Sequence, residues 1–203
     1  MHVLLAKISL HVPCPELPSH IQKEQVSVFL VEDKNTVILI ERSPSDLHSR
    51  LSNRMMYVGS KLRLNNGRFL VYSIVDALVD KIFPIMEHYH DWLVGLQEQV
   101  LDESKTPLDV VKAIQQVNRD NNMLLFYLRP MKPVVAQLAK ELPGDDAELR
   151  RHLQDLLDHV LVLEEQALRM ITWSQSLNED FMNEQQHRQN QVSLVIFREE
   201  DGQ

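Results

Sequence analysis

The first third of the chain has short β-branched runs separated by turn residues, which is typical of a small sheet. Residues 26–31 (VSVFLV) and 37–40 (VILI) are apolar runs on either side of a polar turn, and this spacing predicts a β-hairpin. Residues 2–10 form a further apolar run that predicts a preceding strand. Residues 43–46 (SPSD) have the composition of a helix start, so we expect a short helix that ends near Asn53.

From residue 68 onward, apolar side chains recur at steps of three and four residues, which is the period of an amphipathic helix. The pattern predicts a first long helix over residues 68–100, bent at Pro84, because proline cannot donate a backbone hydrogen bond inside a helix. A second long helix is predicted over residues 107–142, with kinks at Pro130 and Pro133. The residues that follow, PGDD, predict the end of this helix and the start of the next.

The third helix carries the most regular pattern in the chain. Its apolar positions alternate steps of four and three residues from Leu149 to Phe181, which is the seven-residue period of coiled coils and helix bundles. Neither glycine nor proline interrupts the segment before Phe197, so we expect a helix about 75–80 Å long. Residues 184–191 are wholly polar, and the short apolar run at 192–197 that follows them suggests a truncated or altered entry into a membrane.

Taken together, these patterns predict an α+β fold. A small mixed or antiparallel sheet with a short helix precedes three long helices, and the last helix projects as a stalk. We expect two parts. They are a partial α/β sheet region over residues 1–66 and a long-helix bundle over residues 67–203, whose stalk helix spans about residues 146–197.

The charge of the chain narrows the classes of partner. Its 29 acidic residues outnumber 21 lysines and arginines, which gives a formal net charge of -8. Nucleic-acid binding needs clustered cations, so we expect no nucleic-acid partner, whereas divalent cations suit an acidic surface. No window supplies the ~20 nearly uncharged residues that a membrane helix needs, so we expect this chain by itself to be soluble.

Motifs for catalysis are absent from the sequence. Cys14 is the only cysteine, which excludes an intrachain disulfide and a cysteine-rich zinc site. It lies between prolines without a nearby base, and no GxSxG, HExxH or phosphate-binding loop occurs, so we expect no enzyme. His88 and His90 are two residues apart and face opposite sides of a helix, so they do not predict a shared zinc ion.

Five segments of the chain occur in the order and spacing of one protein family. They are residues 24–27 (EQVS), 72–80 (YSIVDALVD), 128–135 (LRPMKPVV), 153–159 (LQDLLDH) and 190–192 (NQV). This set resembles the cytoplasmic part of CorA-type magnesium and divalent-cation transporters. The family's Gly-Met-Asn motif and both of its membrane helices have no counterpart here, and the match starts at a middle strand of the family's α/β domain. The resemblance therefore implies a cytosolic portion, not conducting by itself, of an integral membrane protein.

The resemblance also implies a regulatory cation site on the third long helix. Asp155 matches the position at which family members bind a regulatory ion between neighbouring subunits. Asp158 and His159 follow at i+3 and i+4 and share its helical face, and carboxylate oxygens are suitable ligands for Mg²⁺. We expect magnesium as the bound ion, with cobalt or nickel as alternatives. Acids at this spacing are also common on solvated helix faces, and that role is the alternative for these side chains.

The expected function is that of a cytosolic gating domain of a CorA-like magnesium or cobalt transporter, on the cytoplasmic face of a membrane. The full-length parent would be a homopentamer, with membrane contact only through spans that have no counterpart in this sequence. Asn190 would lie near the cytoplasmic mouth of its pore. Two alternatives remain open. One is the zinc-transporter branch of the same superfamily, and the other is a soluble helical module that uses the seven-residue stripe to pair with another helix.

Overall fold

The computed structural model describes residues 26–41, 46–100 and 107–200. Within these ranges the elements in chain order are β1 (Val26–Val31), a 3-10 turn (Glu32–Lys34), β2 (Thr36–Glu41), α1 (Asp46–Met56), α2 (Lys61–Leu64), α3 (Gly67–Asp80), α4 (Ile82–Val100), α5 (Pro107–Glu141) and α6 (Ala147–Glu200). This confirms the predicted α+β fold, in which a small antiparallel sheet precedes long helices. The strand predicted at residues 2–10 lies outside the described residues.

The two strands form the predicted hairpin. They pair antiparallel, and the register runs from Val26 opposite Glu41 to Val31 opposite Thr36. Asn35 closes the turn in the left-handed conformation with φ 47°, which asparagine adopts more readily than most residues. One face of β1 is buried, whereas the alternate residues of β2 are exposed. The hairpin therefore covers the helices with one face only, as is typical of antiparallel sheets.

Helix α3 begins directly against this hairpin. The backbone N–H of Gly67 donates to Oδ1 of Asn35 over 2.6 Å. A Cβ atom at Gly67 would lie 3.0 Å from Cδ1 of Leu30, so glycine permits the close approach. Asn66 caps the helix, because its Oδ1 accepts from the N–H of Phe69 over 3.1 Å, which satisfies one of the free N–H groups of the first turn.

The predicted first long helix is two helices, α3 and α4, separated at Lys81. Pro84 explains the position of the break. It is the third residue of α4 and has no N–H to donate to the carbonyl of Asp80, and its ring crowds that carbonyl. The apolar stripe predicted for this segment is nonetheless buried almost throughout, so the break changes the path of the helix without changing the face that packs.

The short helices differ from the prediction in extent. Helix α1 continues to Met56, beyond the expected end near Asn53, and the single turn α2 follows it. Its cap residue Ser60 accepts a hydrogen bond from the N–H of Leu62 over 3.2 Å. A serine two residues before a short apolar segment is a weak sequence signal, which is why α2 was not predicted.

The junction between α5 and α6 follows the sequence closely. Helix α5 includes both internal prolines, Pro130 and Pro133. After it, Gly144 adopts φ +54°, the left-handed conformation that commonly ends helices and favours glycine. Asp146 then caps α6, because its Oδ1 accepts from the N–H groups of Glu148 and Leu149 over 3.0 and 2.9 Å. The predicted stop and restart at PGDD are confirmed.

Helix α6 is the organising element of the molecule. Its 54 residues span about 80 Å. All ten positions of the predicted stripe are buried: Leu149, Leu153, Leu156, Val160, Leu163, Ala167, Met170, Ser174, Leu177 and Phe181. The helix packs mainly against α5 and also against α3 and α4. Beyond Phe181 its described side chains are mostly exposed.

One hydrophobic core extends from the hairpin residues Val26 and Val28 to Phe181 in α6. The boundary expected between residues 66 and 67 stays a prediction. Among the described residues, no helix combines the length and the apolar character that a membrane crossing requires.

Candidate metal centre

Two carboxylates and an imidazole meet where α3 packs against α6. Asp76 and Asp80 are four residues apart on α3 and therefore lie on one helical face. His159 faces them from α6. Each of the three side chains offers one ligand atom, and these atoms all lie within 4.8 Å of one another. We call this group the Asp76–Asp80–His159 cluster.

Aromatic side chains border the cluster on both sides. The ring of Phe83 meets the imidazole of His159 edge-on, with ring centroids 5.6 Å apart and an interplanar angle of 88°. On the other side, the hydroxyl of Tyr72 donates a hydrogen bond to Asp76, and its ring stacks on His152 at 5.2 Å. His159 and Asp76 thus each have an aromatic neighbour, whereas Asp80 and His159 are exposed to solvent.

Asp76 is held in an environment that disfavours its charge. Burial raises the pKa of Asp76, and the negative charge of Asp80 raises it further, whereas the Tyr72 hydrogen bond and His159 lower it. Burial also raises the pKa of the Tyr72 hydroxyl, and the charge of Asp76 adds to that effect. A cation beside the half-buried Asp76 and the exposed Asp80 would reduce the repulsion between the two carboxylates.

The donor set suits a divalent cation. Carboxylate oxygens suit Mg²⁺, which keeps several waters and takes only one or two protein carboxylates. An imidazole nitrogen beside them suits Co²⁺, Ni²⁺ or Zn²⁺ better than Mg²⁺. The residues present therefore fit a divalent metal ion.

The family of the chain follows from its sequence over nearly its full length. The sequence profile of the family described as "CorA-like Mg2+ transporter protein" matches residues 6–196. The chain belongs to this family. The resemblance drawn from the five segments is thereby confirmed, and the family is one of ion transporters.

Curated relatives of this CorA-like chain are longer than it is. It is 24% identical over 177 residues to the cobalt/magnesium transport protein CorA of Thermotoga maritima, which covers 87% of the chain and 49% of that protein. It is 28% identical over 97 residues to the zinc transport protein ZntB of Klebsiella pneumoniae, which covers 47% of the chain and 28% of that protein. The chain thus spans about half the length of the first relative and less of the second.

Solved structures share the fold. The full-length CmaX protein superposes with a TM-score of 0.74 at 16% identity, covering 94% of the CorA-like chain and 56% of CmaX. The cytoplasmic domain of ZntB from Vibrio parahaemolyticus superposes with a TM-score of 0.62 at 13% identity, covering 81% and 62% of the two chains. At these identities the likeness shows the fold alone.

The structure places the predicted ligands of the CorA-like chain in two different settings. Only His159 joins the cluster with α3. Asp155 and Asp158 are exposed on α6, and a chain-to-chain site at these residues stays a prediction. Asn190 is exposed within the polar end of α6, and its position at a pore mouth stays a prediction.

Sequence reasoning missed Asp76 and Asp80 as candidate ligands, although both lie in the segment YSIVDALVD. A signal was present, because two acids four residues apart share one helical face within an otherwise largely apolar segment. What the sequence did not supply was the third member, since His159 is distant along the chain and joins them only through the packing of α3 on α6.

The histidines of the HYHD segment do not form a second site. The ring of His88 lies beside Tyr89 and Trp92, whereas the ring of His90 meets Trp173 at 5.6 Å. This confirms that the two side chains point to different surroundings. In the part of the chain that the structure describes, the Asp76–Asp80–His159 cluster is the one group of three such side chains close enough to share an ion.

Proposed function

We propose that this CorA-like chain is the cytosolic, ion-sensing part of a divalent-cation transporter, and that Asp76, Asp80 and His159 bind the sensed cation. The proposal rests on the convergence of their ligand atoms within 4.8 Å across the α3–α6 contact. The family match supports the transport role. The whole transporter, on this account, is an integral membrane protein whose cytoplasmic face carries the present chain.

The cluster can act as a switch because its members lie on different helices. With a cation bound, the carboxylates of α3 and the imidazole of α6 are held together. Without one, Asp76 and Asp80 repel each other, and the contact between α3 and α6 is weakened. Cation binding therefore changes the freedom of α6 relative to α3.

Helix α6 is suited to carry that change over a long distance. It continues without a break from His159 to Asn190, which at ~1.5 Å per residue is about 45 Å. Asn190 then lies near the pore mouth of the full-length protein. Because the helix is continuous, a small rotation of α6 at the cluster would also move its far end.

The proposal also includes a cation site at the contact between neighbouring subunits. Asp155 and Asp158 are exposed on α6 and are free to face an adjacent copy. In a homopentamer of the full-length protein these acids would repel one another across the subunit contact, and a regulatory cation would reduce the repulsion. Magnesium is the ion proposed for this role, with cobalt or nickel as alternatives.

A zinc transporter is the second candidate, and one observation favours it. The imidazole of His159 lies beside two carboxylates, and mixed nitrogen and oxygen ligands favour Zn²⁺ over Mg²⁺. The similarity to the zinc transport protein ZntB of Klebsiella pneumoniae supports the same candidate. A magnesium transporter and a zinc transporter of this family would share the same architecture, so the preferred ion has to be measured.

Sedimentation velocity tests the regulatory proposal. The chain is compared in EDTA and in millimolar magnesium, beside Asp155→Ala and the matched control Asp109→Ala, an exposed acid on α5. We expect magnesium to shift the wild type and the control toward a larger species and to leave Asp155→Ala unchanged. If no form responds to magnesium, the proposed cation site at the subunit contact of Asp155 and Asp158 is wrong, and a helical interaction module is the better account of this face.

A further inference from the structure

A groove of about 1030 Å³ lies between α4 and α6, beyond the Asp76–Asp80–His159 cluster. Phe83 separates the two, because its ring contacts His159 on one side and lines the groove on the other. Met86, Leu168 and Trp173 contribute further apolar surface. The volume is that of a site for a drug-sized molecule, and such sites are mostly apolar with a few polar groups that fix orientation.

The polar groups of the groove are mainly acidic. Glu87, Asp91 and Glu165 line it, and Arg169 is the one lysine or arginine among its described lining residues. Arg169 is already paired with Glu165, with 2.5 Å between Nη1 and Oε1. Glu87 makes no hydrogen bond or ion pair with any described residue, and Asp91 has only the 3.5 Å contact with His90. Two carboxylates on α4 thus face the groove without a lysine or arginine partner.

An indole ring lines the same groove from α6. Trp173 is half-buried on α6 and meets His90 at a ring-centroid distance of 5.6 Å. The face of an indole attracts organic cations more strongly than other aromatic rings do. Carboxylates on one wall and an indole on the other are complementary to a positive charge attached to an apolar body.

We propose that this groove binds an organic ammonium ion with an apolar body. The ammonium group pairs with Glu87 and Asp91, and the apolar body packs on Phe83, Met86 and Trp173. Among the described residues, the acids and the histidine that line the groove do not bring three ligand atoms within 4.8 Å of one another, so the groove does not favour a metal ion. The inference does not depend on the metal-sensing role, since none of the cluster's ligands contributes to the ammonium site.

Trp173 provides a direct optical probe. The chain has two tryptophans, so Trp92→Phe leaves Trp173 as the sole indole while keeping an aromatic ring at position 92. Titration of this variant with 2-phenylethylammonium chloride should change the Trp173 emission saturably. We expect 2-phenylethanol, which lacks the charge, and ethylammonium, which lacks the ring, to bind at least about tenfold more weakly. Equilibrium dialysis with the wild-type chain measures the same binding without relying on emission.

Matched variants separate recognition from general electrostatics. Glu87→Gln with Asp91→Asn should weaken amine binding about tenfold or more. Glu98→Gln with Asp145→Asn removes the same charge from exposed positions outside the groove and should bind like the parent. Circular dichroism confirms that both pairs fold. Equal loss in the two pairs, equal binding of the neutral alcohol, or no saturable binding up to roughly 10 mM amine would each overturn the proposal.

Discussion

A buried carboxylate, Asp120, links two helices of this chain. Asp120 on α5 is only 4% exposed, and its Oδ2 accepts from the hydroxyl of Tyr89 on α4 over 3.0 Å. Gln116, one turn earlier, donates to both oxygens over 2.9 Å. Burial raises the pKa of the Tyr89 hydroxyl, and the charge of Asp120 adds to the rise, so the phenol stays protonated and remains a donor. The contact between α4 and α5 therefore depends on a carboxylate.

Removing this carboxylate should be costly. We expect Asp120→Ala to lower the free energy of unfolding by about 2–4 kcal/mol, because it leaves buried donors without an acceptor and creates a small cavity. Asp109→Ala, on the exposed surface of the same helix, should change it by less than about 0.5 kcal/mol. Urea unfolding followed by circular dichroism measures both. Equal effects of the two variants would contradict the structural role of Asp120.

The raised pKa of Asp76 predicts a pH dependence of stability. The folded chain holds the Asp76 proton to a higher pH than the unfolded chain does, because burial and the charge of Asp80 oppose ionisation. Between the ordinary value of 3.8 and the raised pKa, the folded state binds more protons, so the contribution of Asp76 to stability falls as pH rises.

Asp76→Asn should remove this contribution. In EDTA, the free energy of unfolding of the variant minus that of the wild type should increase as the pH is raised from about 4 toward neutrality. Denaturant unfolding of both forms at several pH values measures the difference. A difference that stays constant or decreases with pH would show that Asp76 is not held in a charge-disfavouring environment.

At the scale of elements, the helix pattern could be read from the sequence because burial follows local periodicity. All ten stripe positions predicted on α6 from Leu149 to Phe181 are buried, and Ile171 is a further buried residue that the stripe did not include. Breaks were harder to place. The sequence showed that Pro84 would disturb its helix, but the disturbance lies three residues earlier, at Lys81, because the lost hydrogen bond is the one that reaches back to Asp80.

Two glycines, Gly144 at a helix end and Gly95 inside a helix, allow a matched test of backbone conformation. Gly144→Ala should destabilise the chain by about 1 kcal/mol, because alanine disfavours the left-handed conformation that ends α5. Gly95 lies inside α4, and a Cβ there would meet nothing within 4 Å. We expect Gly95→Ala to stabilise the chain by about 0.5–1 kcal/mol through helix propensity. Thermal unfolding measures both, and shifts of the same sign would contradict the assignment.

At the scale of the whole molecule, function depends on contacts that local sequence patterns do not encode. The Asp76–Asp80–His159 cluster joins side chains about 80 residues apart along the chain, and local periodicity predicts neither the register of α3 on α6 nor the partner of a given face. Family resemblance predicted a cation site on the third long helix and included His159 in it. It did not supply the α3 residues, which were known only as part of a matching segment. The groove beside Trp173 was likewise missed, because it forms only where α4 packs against α6.

Calorimetric titration of the EDTA-treated chain with Mg²⁺, and then with Co²⁺ and Zn²⁺, tests the central claim most directly. We expect the wild type to bind at least one of these ions at the Asp76–Asp80–His159 cluster. Asp76→Asn with Asp80→Asn should weaken that binding by at least about tenfold, whereas Glu98→Gln with Asp145→Asn, which changes the charge equally, should not. His159→Ala should weaken Co²⁺ and Zn²⁺ more than Mg²⁺, because imidazole suits the softer ions.

Two results would contradict a cation-binding role for Asp76 and Asp80. If the wild type binds none of the three ions at the site, or if both charge-matched pairs bind as the wild type does, the acids of α3 are not cation ligands. The cluster would then be an ordinary packing contact between α3 and α6, and the sensing role would have to be sought elsewhere in the chain.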